Sequence, residues 1–286
     1  MSNQKAHLYI VATPIGNLGD MSQRAISTLQ SVDLIAAEDT RHSAKLLQHL
    51  AIDTPCVAFH EHNERDKTAS LIAKLQAGES IALISDAGTP LLSDPGYHLV
   101  KAAHQHAIPV VPIPGASALL AALVAAGLPT DRFVFEGFLP SKKVARTKQL
   151  VRLKHEIGTL IFYEAPHRIL ATLQDLLEVF GAEREAVLAR ELTKTYETIQ
   201  RATLAALVEW VDADSNQQRG EIVLVVAGAP SQADEELAPE VINTLTILLA
   251  HLPVKQAASI AAEITGQKKN RLYEAALKLQ GQDTSQ

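Results

Sequence analysis

The sequence predicts an α/β protein with two α/β domains and a small helical C-terminal extension. Strand-like apolar runs and helix-like segments alternate five times between residues 7 and 126, which is typical of a mostly parallel sheet. A second set runs from Phe133 to about Pro230. Two of its strands are separated only by Thr193-Lys194-Thr195, so its sheet should be mixed. We place the three domains at 1–127, 128–230 and 231–286.

The first domain is predicted from five short apolar runs that end in Gly, Pro or charged residues. The strand candidates span 8–12, 32–37, 56–59, 81–84 and 109–113. A helix should follow each strand: one capped by Asp20, one through Leu46 and Leu50, and three over 66–77, 97–106 and 118–126. The last helix is nearly all apolar, so we expect it to be buried. Residues 127–131 should form the linker to the second domain.

The second domain and the extension are predicted in the same way. Strand candidates span 133–139, 159–163, 186–192, 196–201 and 221–227, and helices fit 143–155, 166–180 and 203–211. Residues 231–240 are acidic and loop-like, and 241–251 fit one helix. Residues 258–279 are similar to a helix-turn-helix, with Gly266 in the turn and Leu272 beyond it. A plain helical hairpin and a nucleic-acid contact both explain that pattern.

The composition limits the class of protein. The chain has 286 residues, 47% of them hydrophobic, and a net charge of −6, so a nucleic-acid contact would need locally clustered cations. Cys56 is the only cysteine, which excludes an intrachain disulfide and fits a reducing cytoplasm. Prolines interrupt the apolar stretch 108–128, and its remainder, 116–126, is too short to span a membrane. We therefore expect a cytoplasmic protein.

Residues 81–96 combine a buried strand with a polar loop. Ser85 and Asp86 end the apolar run, and Gly88, Pro90 and Asp94-Pro95-Gly96 break the backbone after it. Asp94 can cap a helix that begins at Pro95. In an open parallel sheet, ligands bind outside the carboxyl ends of the strands, so Asp86 should meet a ligand's hydroxyl or ammonium groups there. Gly88 would let that ligand approach the backbone.

Polar groups also follow other predicted strands. Two explanations fit the charged groups of the segment Glu38-Asp39-Thr40-Arg41-His42. They can pair with one another and cap the next helix, or they can supply the site's acid, base and phosphate contacts. Pro114-Gly115-Ala116-Ser117 precede a helix whose N–H groups can bind a carboxylate. In Tyr163-Glu164-Ala165-Pro166-His167-Arg168, the tyrosine can cover a base or an adenine, and His167 and Arg168 can contact phosphate. His60-Glu61-His62 lacks a further ligand at motif spacing, so no metal site is predicted.

A basic stretch opens the first helix of the second domain. Six cations and no acidic residue lie between positions 142 and 154: Lys142, Lys143, Arg146, Lys148, Arg152 and Lys154. A solvated helix face is one explanation. In a chain of net negative charge we favour a surface that contacts phosphates.

The stretch from Asp86 to Gly96 resembles the signature of the ribosomal RNA branch of the tetrapyrrole (corrin/porphyrin) methylase superfamily. The matching residues are Asp86, Gly88, Thr89, Pro90, Ser93, Asp94, Pro95 and Gly96. The resemblance covers most of residues 8–230. It implies an enzyme, usually a homodimer, that binds S-adenosylmethionine in a cleft between two α/β domains. Its implied activity is methylation of the 2′-oxygen of a cytidine ribose in 16S rRNA of the small ribosomal subunit, at the decoding centre.

The resemblance and the strand-end positions together give a candidate site. A ribose hydroxyl is a weak nucleophile, so a general base or a polarising cation should assist it, and we name Glu38 or Asp39 first, then Lys194, then His167. The expected cofactor contacts are Pro14, Asp86, Ala87, Gly88, Pro114, Gly115, Ala116, Ser117 and Tyr163. The expected RNA contacts are Arg41, Lys142, Lys143, Arg146, Arg168, Lys268, Lys269 and Arg271. Two alternatives stay open: a tetrapyrrole methylase of the same fold, and a non-enzymatic regulator that binds nucleic acid through 258–279.

Overall fold

The computed structural model of the protein describes residues 6–230 and 237–283. The described residues up to Gly228 form one compact unit with two β-sheets, and those from Ala229 onward form a second unit. The predicted domain boundary at residue 127 falls between the two sheets and stays a proposal. Arg201 donates a hydrogen bond to the Gly127 carbonyl at 2.7 Å, and Thr159 donates one to the Pro129 carbonyl at 2.6 Å, so the second sheet holds this linker.

The first sheet is parallel, as the alternation of strands and helices predicts. Its strands are β1 (Leu8–Val11), β2 (Leu34–Ala37), β3 (Cys56–Ala58), β4 (Ile81–Ile84) and β5 (Val110–Ile113), in the order β3-β2-β4-β1-β5. Its helices are α1 (Gln23–Ser31), α2 (Thr40–His49), α3 (Glu64–Gln76), α4 (Tyr97–Gln105) and α5 (Ala118–Ala125). All residues of β2 and β4 are buried, because central parallel strands are covered on both faces.

The strand order creates a crevice at the carboxyl edge of this sheet. After β2 the chain leaves toward β3 on one side, and after β4 it leaves toward β5 on the other. Neighbouring strands whose connections diverge leave space between their ends, and ligands of open α/β sheets bind there. Glu38 follows β2 directly, and Asp86 lies two residues after β4. The fold therefore brings these two carboxylates to the same crevice.

The second sheet is mixed, as the short Thr193-Lys194-Thr195 connection predicts. Its strands are β6 (Phe133–Phe138), β7 (Thr159–Glu164), β8 (Glu185–Arg190), β9 (Thr198–Thr203) and β10 (Ile222–Val226), in the order β6-β7-β10-β8-β9. Strands β6 and β7 pair in parallel, and the other three pairs are antiparallel. Helices α6 (Lys143–Leu153), α7 (Ile169–Phe180) and α8 (Leu204–Ala213) contribute to the core of this half.

Helix α5 packs against the second sheet. Leu123 lies in one apolar cluster with Ile161 and Val223 of that sheet. We expected the whole helix to be buried, and this is wrong: Leu120 is 50% exposed and Val124 is 77% exposed. Residues four positions apart share one side of a helix, so α5 buries one side and leaves the other accessible.

Two helix caps differ from the prediction. Ser22, not Asp20, caps α1, because its hydroxyl accepts a hydrogen bond from the Ala25 N–H at 3.1 Å. Asp20 lies instead in a short 3₁₀ turn. Helix α4 begins at Tyr97 rather than at Pro95, and its N-cap residue is Gly96. The predicted capping role of Asp94 is therefore wrong.

The second unit contains helices α9 (Pro239–Leu249), α10 (Val254–Thr265) and α11 (Lys269–Asp283) in its described part. Leu245, Ala258, Ala261, Leu272 and Ala276 are buried in its core. Gly266 ends α10 with a φ of +68°, a left-handed conformation in which glycine is favoured. Residues 258–279 form two helices joined by a turn, as the pattern predicts, and both a helix-turn-helix and a plain helical hairpin fit this arrangement. Residues 231–236 of the predicted acidic loop lie outside the described residues. No helix in the described ranges is long and apolar enough to cross a membrane.

Candidate active site

Two carboxylates at the ends of β2 and β4 are joined by backbone hydrogen bonds. The Asp39 N–H donates to Asp86 Oδ1 at 3.0 Å, and the Asp86 N–H donates to Glu38 Oε2 at 3.5 Å. The segment after each strand thus supplies an N–H to the carboxylate that follows the other strand. Such donors stabilise the ionised form of a carboxyl group.

A cavity of about 430 Å³ lies between the two sheets. This volume falls in the range of pockets that hold one small-molecule ligand. The first half, the part of the unit that contains the first sheet, lines it with Ile15, Glu38, Asp86, Ala87, Gly88, Thr89, Leu92, Ser93, Asp94 and Ala118. The second half, which contains the second sheet, lines it with Phe138, Tyr163, Glu164, Ala165, Pro166, Leu192, Gly220, Glu221, Ile222 and Val223.

The lining of this cavity is acidic. It contains the carboxyl groups of Glu38, Asp86, Asp94, Glu164 and Glu221 and no Lys, Arg or His side chain among the described residues. Arg168 pairs with Glu164 at 3.1 Å, and Lys194 pairs with Glu221 at 3.0 Å. Within the described part of the chain, the other three carboxylates have no ion pair. Their uncompensated negative charge favours a cationic ligand.

The carboxyl groups of Asp94 and Glu38 have raised pKa values. Burial raises the pKa of Asp94 to about 6, and the charges of Glu38 and Asp86 add to this effect. Burial also raises the pKa of Glu38, although the hydrogen bond from the Asp86 N–H acts in the opposite direction. Like charges in a partly buried site disfavour one another's ionisation, and such clusters are frequent at functional sites.

Three loops at this edge are tied to one another. Thr13 and Gly88 exchange two backbone hydrogen bonds, at 2.8 and 3.0 Å. The Thr89 hydroxyl donates to the Ala116 carbonyl at 3.0 Å, which joins the loops after β4 and β5. A Cβ atom at Gly115 would lie 2.9 Å from the Cβ of Ala12, so contact between loops requires glycine there. These contacts hold the three loops in place relative to one another, so the loops form one continuous surface at the edge of the sheet.

A buried carboxylate from α3 holds the start of α4. Glu64 is only 7% exposed, and its Oε1 accepts hydrogen bonds from the N–H groups of Gly96 at 3.1 Å and His98 at 2.8 Å. N–H groups at the start of a helix have no partner within the helix. Glu64 thus caps α4 from another helix and fixes the C-terminal end of the segment 85–96. Its partners lie 32 and 34 positions away, so no local sequence pattern indicates this bond.

The same segment holds two residues in a left-handed backbone conformation. Leu91 has a φ of +73° and Ser93 a φ of +68°. For residues other than glycine this conformation costs free energy, and it persists where the surrounding structure imposes it, often at functional sites. The loop that presents Asp94 to the cavity is therefore held in a defined, strained shape.

Comparison with known proteins matches two parts of the chain. Residues 7–208 match the family model described as Tetrapyrrole (Corrin/Porphyrin) Methylases, which covers more than half of the chain. The chain belongs to the tetrapyrrole (corrin/porphyrin) methylase family. Residues 235–280 match a second model, described as the RsmI C-terminal HTH domain.

Relatives of this methylase match it over nearly their whole length. A protein from Pseudomonas aeruginosa named ribosomal RNA small subunit methyltransferase I is 59% identical, over 96% of this chain and 98% of its own. One of the same name from Escherichia coli O157:H7 is 54% identical, over 98% and 97%. The solved uroporphyrin-III C-methyltransferase of Thermus thermophilus, complexed with S-adenyl homocysteine, has a TM-score of 0.52 and 17% identity, over 78% of this chain and 97% of its own. At that identity, the structural likeness shows the fold alone.

Among the candidate bases of this methylase, Glu38 lines the cavity, whereas Asp39 and His167 do not. Asp39 caps α2, since its Oδ1 accepts hydrogen bonds from the N–H groups of Arg41 at 2.7 Å and His42 at 3.3 Å. These two bonds lower the pKa of Asp39, which weakens it as a base. His167 is exposed in the turn before α7.

Lys194, the other candidate base, is held by two carboxylates. Its ammonium group lies 2.8 Å from Glu191 and 3.0 Å from Glu221. Burial lowers the pKa of Lys194, but the hydrogen bonds to these two carboxylates outweigh burial and raise it overall. A lysine that retains its proton is a poor base. It neutralises Glu221 in this geometry, and a role as a polarising cation stays a prediction.

The expected cofactor contacts divide into two groups. Asp86, Ala87, Gly88 and Tyr163 line the cavity. Pro14, Pro114, Gly115, Ala116 and Ser117 lie in the neighbouring loops and do not line it. The Tyr163 hydroxyl accepts a hydrogen bond from the Leu119 N–H at 3.2 Å, which ties the second sheet to the first turn of α5. The Ser117 hydroxyl is buried and has no hydrogen-bond partner among the described residues.

The structure contradicts two of the expected RNA contacts. Arg146 is 4% exposed, and its guanidinium group bonds to Asp175 at 2.6 Å. Arg168 bonds to Glu164 and, at 2.6 Å, to the Leu139 carbonyl. Both guanidinium groups balance buried carboxylates and satisfy backbone carbonyls, so neither is available to a phosphate.

The remaining expected RNA contacts lie at the surface or close to it. Arg41, Lys142, Lys268 and Lys269 are exposed. Lys143 is exposed too, although it lies 3.3 Å from Glu178. Arg271 is half-buried and donates to Gln267 Oε1 at 2.9 Å.

Three residues at the site were missed by sequence reasoning alone. Asp94 carries a visible signal, its place in a Pro- and Gly-rich loop, but we assigned it to a helix cap. Glu64 and Phe138 depend on contacts distant in sequence. In the described ranges no three His, Cys, Asp or Glu side chains are grouped so that they could hold a metal ion, and the absence of a metal from the enzyme stays a prediction.

We predict that Glu64→Ala loosens the segment 85–96. Two N–H groups would lose a charged acceptor, at a cost of about 1.5–3 kcal/mol in the free energy of unfolding. Urea denaturation measures this cost, and amide hydrogen exchange at Gly96 and His98 should become faster. Glu64→Gln keeps an acceptor oxygen and should retain most of the stability. Glu61→Ala, at an exposed position three residues earlier, is the control. If Glu64→Ala unfolds at the same urea concentration as the wild type, the capping role is wrong.

Proposed function

We propose that this protein transfers the methyl group of S-adenosylmethionine to the 2′-oxygen of a cytidine ribose in 16S rRNA, at the decoding centre. The proposal is carried by the acidic cavity at the divergence of β2 and β4. It is supported by the 59% identity to a protein named ribosomal RNA small subunit methyltransferase I. The S-adenyl homocysteine bound to a relative of the same fold supports the choice of cofactor.

The charges around the cavity suit this cofactor. S-adenosylmethionine carries a sulfonium and an ammonium group, and Glu38, Asp86 and Asp94 offer unpaired negative charge to them. Its carboxylate suits the N-terminus of α5, where helix N–H groups favour an anion and the Ser117 hydroxyl lacks a partner among the described residues. Tyr163 can cover the adenine from the second sheet.

The cofactor supplies an already activated methyl group. The protein must then hold the ribose hydroxyl in line with that methyl group and accept the hydroxyl proton. We propose Glu38 as the base, because it lines the cavity and burial raises its pKa, which increases its affinity for a proton. A proton on Glu38 would also relieve the repulsion between this residue and both Asp86 and Asp94.

We predict that affinity for S-adenosylmethionine falls as the pH is lowered through about 6, the value to which burial raises the pKa of Asp94. A cationic ligand prefers the ionised carboxylate. Protonation at pH 5, about one unit lower, should therefore weaken binding by up to about tenfold relative to pH 7.5. Calorimetric titration measures this, and Asp94→Asn should reduce the pH dependence. Equal affinity at pH 5 and 7.5 would contradict a role for Asp94 in cofactor binding.

In the unliganded protein, the Asp94 carboxyl group also makes the folding stability depend on pH, and this dependence is opposite to that of cofactor affinity. Its folded-state pKa is raised above the ordinary 3.8, so the folded state binds a proton that the unfolded chain has lost between these values. The contribution of Asp94 to stability therefore decreases as the pH rises through about 6. Binding of a cation would offset that loss.

We predict that the methyl group is on the 2′-oxygen of the target nucleotide. A blocked 2′-hydroxyl cannot attack the adjacent phosphate, so alkaline hydrolysis of the methylated rRNA should leave one resistant linkage. Small subunits from cells that lack this protein, methylated with the purified enzyme, are the substrate, and the same subunits without enzyme are the control. If the modified linkage is cleaved like its neighbours, the methyl group is on the base and the ribose assignment is wrong.

We predict that the basic start of α11 adds phosphate contacts. Lys268 and Lys269 are exposed there, and each lost contact should reduce the slope of log affinity against log salt by about one unit. Replacing both lysines by alanine should lower the slope by about two units while affinity for S-adenosylmethionine is retained. Lys255→Ala, at an exposed position on α10, is the control. An unchanged slope in the double variant would show that these two lysines do not contact phosphates and that the role of α11 is structural.

The homodimer and the location in the cytoplasm are proposals as well. A homodimer is supported by the exposed Leu120 and Val124 on α5, and light scattering that gives the mass of one chain would contradict it. Action in the cytoplasm follows from the proposed rRNA substrate.

A further inference from the structure

Strand β6 contains a β-bulge beside the cavity. Phe135 pairs with Ile161, yet Phe138, three positions later, pairs with Tyr163, only two positions later. In a regular strand, residues three apart face opposite sides of the sheet. The bulge instead turns both phenylalanine rings toward Tyr163, with ring centroids 4.9 and 5.6 Å away. Bulges next to active sites commonly redirect a side chain in this way.

Glycine at the bulge lets β6 approach the segment 85–96. Gly137 has a φ of +64°, and a Cβ atom there would lie 2.9 Å from the Ser93 hydroxyl oxygen. A side chain at this position would therefore be strained by its backbone and would force the Ser93 hydroxyl to move. The bulge, the glycine and the strained Ser93 together place Phe138 at the boundary between the two halves of the site.

Phe138 lines the cavity but leaves 56% of its surface exposed. The ring packs against Tyr163 at an interplanar angle of 63°, and more than half of the side chain is open to solvent. Large exposed aromatic rings beside a binding cavity are typical of recognition sites. Unpaired nucleobases stack on such rings in proteins that bind single-stranded RNA.

Electrostatics limits which part of an RNA chain can reach this ring. Three of the five carboxyl groups that line the cavity, those of Glu38, Asp86 and Asp94, have no ion pair among the described residues and would repel phosphates. Lys142, four residues after Phe138, and Lys148 on α6 are exposed cations that attract them. The backbone of a bound RNA should therefore stay at α6, while one nucleoside, which is uncharged, enters the mouth of the cavity.

We infer that Phe138 stacks on the base of the nucleotide whose ribose is methylated. The inference rests on the proposed function and deepens it, because it requires the acceptor to be an unpaired nucleotide turned out of its neighbours' stack. Phe138 is then a substrate contact that selects an accessible nucleotide, while Glu38 and Asp86 act on the ribose and the cofactor.

The test compares four variants in two assays. Phe138→Ala and Phe138→Leu remove the aromatic ring, the second with little loss of apolar volume, and Phe138→Trp keeps a ring. Phe133→Ala removes an exposed phenylalanine at the other end of β6 and is the matched control. Calorimetry gives the affinity for S-adenosylmethionine. Methyl transfer to small ribosomal subunits from cells that lack this protein gives the half-saturating subunit concentration and the maximal rate.

We expect Phe138→Ala and Phe138→Leu to lower the ratio of maximal rate to half-saturating subunit concentration by about ten- to a hundredfold. Their cofactor affinity should be unchanged, and Phe138→Trp and Phe133→Ala should behave like the wild type. Wild-type behaviour of Phe138→Leu would overturn the stacking role. An equal loss of cofactor affinity would overturn it too, because the ring would then contact the adenine of the cofactor. A wild-type enzyme that methylates no rRNA would overturn the proposed function, and the stacking role with it.

Discussion

The repulsion among Glu38, Asp86 and Asp94 is the constraint on which the rest of the site depends. Three carboxylates in a partly buried cavity without ion pairs among the described residues disfavour folding unless the protein compensates them. Hydrogen bonds from the Asp39 and Asp86 N–H groups offset part of the cost of burying these charges together. The raised pKa values of Glu38 and Asp94 reflect the burial and repulsion that remain. Bridged loops prevent the carboxylates from moving apart. A cationic ligand would complete the compensation, so the site is built to bind one.

Charge is divided between two surfaces of the unit that contains both sheets. The cavity lining is acidic, while exposed cations such as Lys142 and Lys148 lie along α6. A chain with a net charge of −6 can therefore still bind a polyanion, because the polyanion does not have to enter the acidic region. Arg146 is part of the same basic sequence but faces inward to Asp175, which shows that a run of cations along a helix serves both packing and the surface.

Short-range patterns predict the two sheets, the strand ends and the helix-turn-helix, because hydrophobic periodicity and Gly and Pro positions are local properties. The same patterns place Glu38 and Asp86 at one sheet edge. They cannot predict that Glu64 caps α4 from 32 positions away, or that a bulge turns Phe138 toward Tyr163, because both depend on contacts made only in the folded chain. Arg146 and Arg168 were misassigned for the same reason: their partners, Asp175 and Glu164, are brought to them by the fold.

The central claim is that negative charge at the ends of β2 and β4 holds the cationic cofactor. Calorimetric titration of S-adenosylmethionine into Asp86→Asn tests it most directly, since asparagine keeps an acceptor for the Asp39 N–H and removes only the charge. Asp39→Asn is the matched control, because it removes a charge at the same edge but outside the cavity lining and preserves a good N-cap residue. We predict a loss of affinity of at least about tenfold for Asp86→Asn, which corresponds to about 1.4 kcal/mol, and little change for Asp39→Asn. Undiminished affinity in a folded Asp86→Asn protein, or an equal loss in both variants, would contradict the account.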